Sequence, residues 1–399
     1  MVPRPLLAAS VCLAAGLGSC CLQVVSDEAG GGYAVPTSPN GGLNIPQCTL
    51  ATSSSPGVTT LYSGVVQPEH GGSDEPRETP GFYTPLGVAL GSDCSVYLTD
   101  MLGTVWKVDP QGNGTQLTSQ VITSASDFAV GLGMASSGTL YVADPGGNGV
   151  YDIDSSGSLA ILAGGINHAG PGTGGFADGT GGANGSAKFN GPVGVAVDSS
   201  GTVYVGDTDN NRVRKIDTLG NVTTLAGNGQ GGREDGTGGP GGTAEFLEPT
   251  GVAVDASGNV YVADTGNGRI CKIDTSGNVT TVAGAGVNGP RAPINQQGGY
   301  ADGTGGSNGT AKFLAPSALA IASDGTIYVA DTGNNRVRKI DTAGNVTTLA
   351  GNGVESLGGG TVGPDGTAEF DSPDGIAIDG EGNVYVSDRG NDRIRLIVP

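Results

Sequence analysis

The chain has 399 residues, 38 acidic against 18 basic side chains, a net charge of −20, 76 glycines and only 5% aromatic residues. That acidity disfavours nucleic acid as a partner, because phosphate backbones are bound by neutralising them. With two histidines, His70 and His168, and no His-Glu-x-x-His or Cys-x-x-Cys motif, three-histidine zinc chemistry is excluded as well.

Residues 1–19 read as a targeting segment: Arg4 precedes an apolar run from Leu6 to Leu17, short for a bilayer span. The run ends in Leu17-Gly18-Ser19-Cys20, which resembles a bacterial lipobox with Cys20 as the lipid-anchored residue; a plain secretory signal is the alternative. Either reading predicts export, to the bacterial cell envelope or beyond, with the membrane touched only through the N-terminal lipid. Residues 20–56 are rich in Gly, Pro and Ser without periodicity and read as a flexible tether. The remaining cysteines suit an oxidising compartment. Cys48 and Cys94 are expected to pair, and Cys271 is expected to stay a lone thiol.

From residue 57 onward the chain repeats itself. Pro192–Gly227, Pro249–Gly284 and Pro316–Gly351 are near-copies, and Pro373–Pro399 is a fourth that stops early. Each copy reads as four short strands, for example 194–198, 203–207, 213–217 and 221–226, where β-branched residues alternate between Gly, Asn and Asp turns. Weaker copies occupy 85–109 and 128–164, giving six second-strand tyrosines: Tyr97, Tyr141, Tyr204, Tyr261, Tyr328 and Tyr385. One such unit cannot bury its own faces, so units must stack. Residues 57–64 (GVTTLYSG) resemble the fourth strand that the last copy lacks. The expected fold is therefore all-β: a six-bladed β-propeller of four-stranded antiparallel blades over 57–399, its N-terminal strand completing the last blade and removing the open edges.

The pattern Pro-x-Gly-Val-Ala-Val-Asp-x-x-Gly-x-Val-Tyr-Val-x-Asp-x-x-Asn-x-Arg, followed by Val/Ile-x-Lys-Ile-Asp, is similar to the NHL repeat. It is complete in the last four copies and degraded in the first two, where no Asn-x-Arg follows Asp100 or Asp144. The resemblance implies a propeller and leaves the activity open, since fold does not carry function.

The Asp-x-x-Asn-x-Arg turns supply the candidate binding residues: Asp207, Asn210 and Arg212; Asp264, Asn267 and Arg269; Asp331, Asn334 and Arg336; Asp388, Asn391 and Arg393. Recurrence in each blade suits an architectural role, and as a polar ring on the loop-rich face they would bind a protein or glycan. In the long loops between blades, Asp178, Asp235 and Asp302 each precede Gly-Thr-Gly and stand eleven residues before Phe189, Phe246 and Phe313, with Asp365 and Phe370 taken as a shortened copy. The Phe rings, and Phe82 with them, are expected to plug the gaps between blades. The four Asp residues are candidate structural calcium ligands, although Asx turns explain them without an ion. No cofactor besides calcium is expected. The overall expectation is a monomeric, non-catalytic binding scaffold; the alternative is a divalent-metal-dependent lactonase or hydrolase with its site at the central channel.

Overall fold

The computed structural model describes residues 10–11, 22–26, 32–36, 56–63, 82–118, 131–165, 174–284 and 299–399. The chain divides into two compact units, Met1–Gly42 and Leu43–Pro399. In the first, Ser10–Val11, Leu22–Ser26 and Gly32–Pro36 form an antiparallel sheet, the latter two strands falling within the stretch read as tether. Cys20, Cys48, His70 and His168 lie outside the described residues.

The second unit is the six-bladed propeller. Blade 1 runs from Pro85 to Gln116, blade 2 from Leu132 to Gly164, blade 3 from Pro192 to Ala226, blade 4 from Pro249 to Ala283 and blade 5 from Pro316 to Ala350. Blade 6 combines Pro373–Ile378, Val384–Asp388 and Arg393–Val398 with the N-terminal strand Gly57–Ser63, in register Ile394↔Tyr62 and Ile397↔Val58. The six first strands touch in cyclic order, blade 6 against blade 1 included, so the ring is closed.

Local sequence explains each hairpin. In blade 3 the carboxylate of Asp198 accepts the backbone N–H groups of Ser200 and Thr202, and Gly201 takes φ +86°, which closes the Asp-Ser-Ser-Gly turn. Cys94 holds the same left-handed position in blade 1 at φ +63°. Between the second and third strands a single 3₁₀ turn ends in a left-handed residue, Asn211, Asn335 or Asp392. The side chains of these residues reach across to the next blade: the N–H groups of Glu248, Ser372 and Thr84 donate to Asn211, Asn335 and Asp392. Blade 4 has Gly268 in that place and so lacks this bond.

The core lies between blades. Five clusters each join neighbouring blades around one phenylalanine: Phe82 at 6/1, Phe189 at 2/3, Phe246 at 3/4, Phe313 at 4/5 and Phe370 at 5/6. All five rings are buried, so they fill the gaps as the loop sequences suggest. The sequence does not announce one further feature. The loops ahead of blades 3, 4 and 5 add a two-residue outer strand each, Gly179–Thr180, Gly236–Thr237 and Gly303–Thr304, hydrogen-bonded to the fourth strand.

Candidate functional site

Turns between second and third strands emerge on the same face as the inter-blade loops; Asn210 Nδ2 donates to the carbonyl of Gly175, and Asn334 Nδ2 to that of Gly299. On this face the first Asp of each Asp-x-x-Asn-x-Arg turn points inward. Asp207, Asp264, Asp331 and Asp388 are fully buried. Each accepts a backbone N–H from the preceding loop (Asn190, Leu247, Leu314 and Asp371, all at 2.8 Å) and the amide of its own turn Asn.

The arginine that meets this carboxylate is not the one of the Asp-x-x-Asn-x-Arg turn in three of the four blades. In blade 3, Arg214 sends Nη1 to Asp207 at 2.8 Å and Nη2 to Asp178 at 2.7 Å, while the carbonyls of Lys188 and Ala177 accept from the same two nitrogens. Arg338 repeats this with Asp331 and Asp302 in blade 5, and Arg395 pairs with Asp388 at 3.0 Å in blade 6. The guanidinium thus fills an oxygen cage of the kind a bound cation would need. In blade 4, Cys271 stands where the others have the buried Arg. Arg269, two residues earlier, turns inward instead: Nε meets Asp264 at 2.6 Å and Nη1 meets Asp235 at 2.9 Å. Cys271 is the free cysteine among the described residues, fully buried, and burial pushes its thiol far up; Cys94 is not free.

Asp178, Asp235 and Asp302, the candidate calcium ligands, accordingly sit beside guanidinium groups, and each also accepts from a fourth-strand threonine, Thr224, Thr281 or Thr348. Asp365 does not belong with them. Thr361 hydrogen-bonds Thr367 as Thr304 does Thr310, which places Gly359, eleven residues before Phe370, in the Asp position of blade 6. Blade 6 has no Asp there, and Arg395 Nη2 keeps only the loop-carbonyl partner, Gly358 at 3.4 Å, that Arg214 and Arg338 hold as Ala177 and Ala301 beside their Asp.

The outward arginines have a different task. Arg212 and Arg336 stack on Phe176 and Tyr300, each 3.8 Å from the ring centroid, leaving the rings 44% and 41% exposed. Arg393, by contrast, is buried.

The central channel is lined by aliphatic side chains of the first strands, among them Leu90, Met134, Val197, Val254, Ile321 and Ile378. Towards the loop-rich face it narrows to a neck of about 60 Å³ where Gly87, Gly131, Gly194, Gly251 and Gly375 recur, with Ala318 in blade 5. A Cβ on Gly194 would strike the Thr250 carbonyl, and one on Gly375 the Leu86 carbonyl, so close backbone approach requires glycine there. Among the described residues no three His, Cys, Asp or Glu side chains stand close enough to hold a metal.

Around the neck, blades 4 and 5 are sealed by hydroxyls. Thr265 and Thr332, following the buried Asp, donate to the carbonyls of Pro316 and Pro373 in the next blade and meet Thr250 and Ser317 in their own. Blade 6 replaces both partners with charged residues: Arg389 stands in the Thr332 position and Asp374 in the Ser317 position, their nearest atoms 4.0 Å apart. Burial pushes the Asp374 carboxyl up to about 6, against the pull of Arg389 and the Ser317 hydroxyl. Sequence inspection missed this pair; its signal was Arg389, which departs from Thr208, Thr265 and Thr332 in the other three clear repeats.

Residues 77–234 and 268–341, more than half of the chain, match the family model of the Teneurin NHL domain, and 246–273 match the NHL repeat. The chain is 26% identical to Teneurin-1 of Homo sapiens over 359 residues, which is 81% of this chain and 12% of that protein, and so spans about an eighth of its length. It is 27% identical to Teneurin-3 of Danio rerio over 345 residues, covering 78% of this chain and 12% of that one. Among solved structures, an auxiliary nutrient binding protein from Bacteroides thetaiotaomicron superposes with a TM-score of 0.60 at 15% identity, covering 95% of this chain and 83% of the other. That likeness is one of fold. With the repeat pattern, the closed six-blade ring and the family match together, the chain belongs to the Teneurin-type NHL family of β-propellers.

Proposed function

We propose that this protein is an exported, lipid-anchored propeller that acts as a non-catalytic binding scaffold through its loop-rich face, with a protein or glycan as ligand. One observation carries the reading. Of the five large apolar side chains exposed among the described residues, Leu102, Phe176, Tyr300 and Val354 belong to second-to-third turns or inter-blade loops, whereas only Leu219 sits in a third-to-fourth turn on the opposite face. Exposed rings held rigid by a stacked guanidinium lose little freedom on binding, so they suit a contact surface. A metal-dependent hydrolase would need converging carboxylates or histidines at the axis, and the described channel walls are aliphatic.

Anchoring at Cys20 and a Cys48–Cys94 bond complete the proposal; the bond would tie the segment before the closing strand to blade 1. The deciding experiment is capture of envelope proteins and arrayed glycans by wild type and by the Phe176→Ser/Tyr300→Ser variant. Loss of a specific ligand with an unchanged melting temperature supports the face; a ligand retained in full by the variant overturns it.

A further inference from the structure

The neck of the channel is built differently from blade to blade, and in blade 6 the difference is one of charge. Blades 4 and 5 close the loop-rich end of their first strands with uncharged hydroxyl pairs, Thr250 with Thr265 and Ser317 with Thr332. Thr332 also donates to the Pro373 carbonyl and thereby fastens blade 5 to blade 6. At the corresponding point blade 6 carries Arg389, and its hydroxyl bond towards blade 1 comes from Ser387, which donates to the Leu86 carbonyl. Packing does not call for the exchange, because threonine serves the same turn in blades 3, 4 and 5. Burying charge is costly unless the charges are paired and hydrogen-bonded. Yet the Arg389 side chain is 24% exposed, the Asp374 side chain 4%, and 4.0 Å is too long for a hydrogen bond between them. The guanidinium therefore reaches solvent with donors to spare, beside a carboxylate that can still accept.

We propose that Asp374 and Arg389 form a recognition site for a small zwitterion, a free α-amino acid with a short aliphatic side chain, at the loop-rich mouth of the channel. The proposal deepens the binding reading of that face and rests on it. Three features select this ligand class. The site is neutral overall, so a plain anion meets Asp374 and a plain cation meets Arg389, whereas a zwitterion gains from both. A guanidinium fork matches a carboxylate, and a carboxylate matches an ammonium. Beside the pair, Gly375 follows Asp374 into the neck wall and Ser317, which donates to the Asp374 carbonyl, lines the same neck. The neck offers about 60 Å³ bounded by Val88, Leu132, Val195, Val252, Leu319 and Ile376, room for a small aliphatic group and not for an aromatic one.

Isothermal titration calorimetry on the full chain tests this with L-valine, N-acetyl-L-valine, which lacks the ammonium, and L-valinamide, which lacks the carboxylate. L-valine is expected to bind, with each analogue weaker by roughly tenfold or more, the loss expected when one charge-assisted partner is removed. Arg389→Thr, which installs the residue of blade 5, and Asp374→Thr, which installs that of blade 4, should fold as wild type does and lose L-valine binding. No binding of L-valine, equal binding of L-valine and L-valinamide, or undiminished binding by Arg389→Thr overturns the proposal. The capture experiment is repeated with Arg389→Thr. A macromolecular ligand that depends on Phe176 and Tyr300 and persists there leaves the face standing when the amino-acid site fails.

Discussion

Arg269 and Arg338 stand at different positions of their third strands and fill the same cage. The cage is set by the backbone: a buried Asp at the end of the second strand, a loop Asp beside it and loop carbonyls above. Whichever arginine can reach is drawn in, and Cys271 leaves the space that lets Arg269 do so. Removing one partner of a buried pair leaves an uncompensated charge and costs about 3–5 kcal/mol. Arg338→Ala and Arg269→Ala should both show a loss of that size in urea denaturation. Arg336→Ala, which takes away a partly exposed stack, should cost about 1 kcal/mol or less. If Arg269→Ala is as mild as Arg336→Ala, the exchange of roles in blade 4 is wrong. This level was the least legible in the sequence. Asp-x-x-Asn-x-Arg draws the eye to the arginine five residues after the Asp, whereas in blades 3, 5 and 6 the cage takes the one seven residues after. Only side-chain reach distinguishes them.

At the scale of elements, the sequence was far more transparent. Within the clear copies strand alternation and glycine turns recur at fixed spacing, so their blade boundaries follow from pattern, and GVTTLYS was recognisable as the missing fourth strand because it matches NVTTLAG. The two-residue outer strands escaped because Gly-Thr carries no β signal by itself; the loop is held there by Thr304–Thr310-type bonds and the guanidinium cage. Asp365 was misplaced for a related reason, since an Asp-Gly-Thr triplet in a shortened loop looks like the recurring one until hydrogen-bond partners fix its register. The closing strand also shows how much one element can hold. Tyr62 is fully buried in the 6/1 cluster with Phe82 and Leu396, and its hydroxyl donates to the Asp109 carbonyl at 3.1 Å. Tyr62→Ala should therefore lower stability by about 3–5 kcal/mol, as large-to-small changes at buried aromatic sites do. Thr59→Ala, exposed on the same strand, should stay within about 0.5 kcal/mol. Equal, small effects at both positions would mean that the N-terminal strand does not hold the ring shut.

For the whole molecule, charge and pH tie these levels together. Five turn carboxyls, Asp109, Asp154, Asp217, Asp274 and Asp341, are held below the ordinary carboxylate range by hydrogen bonds from a turn Asn or Ser and from backbone N–H groups. A carboxyl lowered in the folded state contributes stability above its unfolded value, and that share disappears as pH falls through the folded one. The share from these turn carboxyls should therefore persist from neutral pH down to about 4 and be lost progressively below. Because these bonds are local, 1 M salt should not abolish the effect, although it screens the repulsion expected of a chain with net charge −20. Burial pushes Asp207, Asp331 and Asp388 up to about 6, and Asp374 acts with them in the opposite sense. Raised to about 6, its share is present at low pH and vanishes as pH rises through that value. The melting temperature of Asp374→Thr relative to wild type should consequently improve between pH 5 and pH 7. Differential scanning fluorimetry of both proteins across pH 2.5–8 reads both signs at once. A wild-type curve flat down to pH 2.5 would contradict the turn carboxyls, and a variant that loses ground between pH 5 and 7 would show that the fold stabilises Asp374 as an anion and that burial does not dominate there.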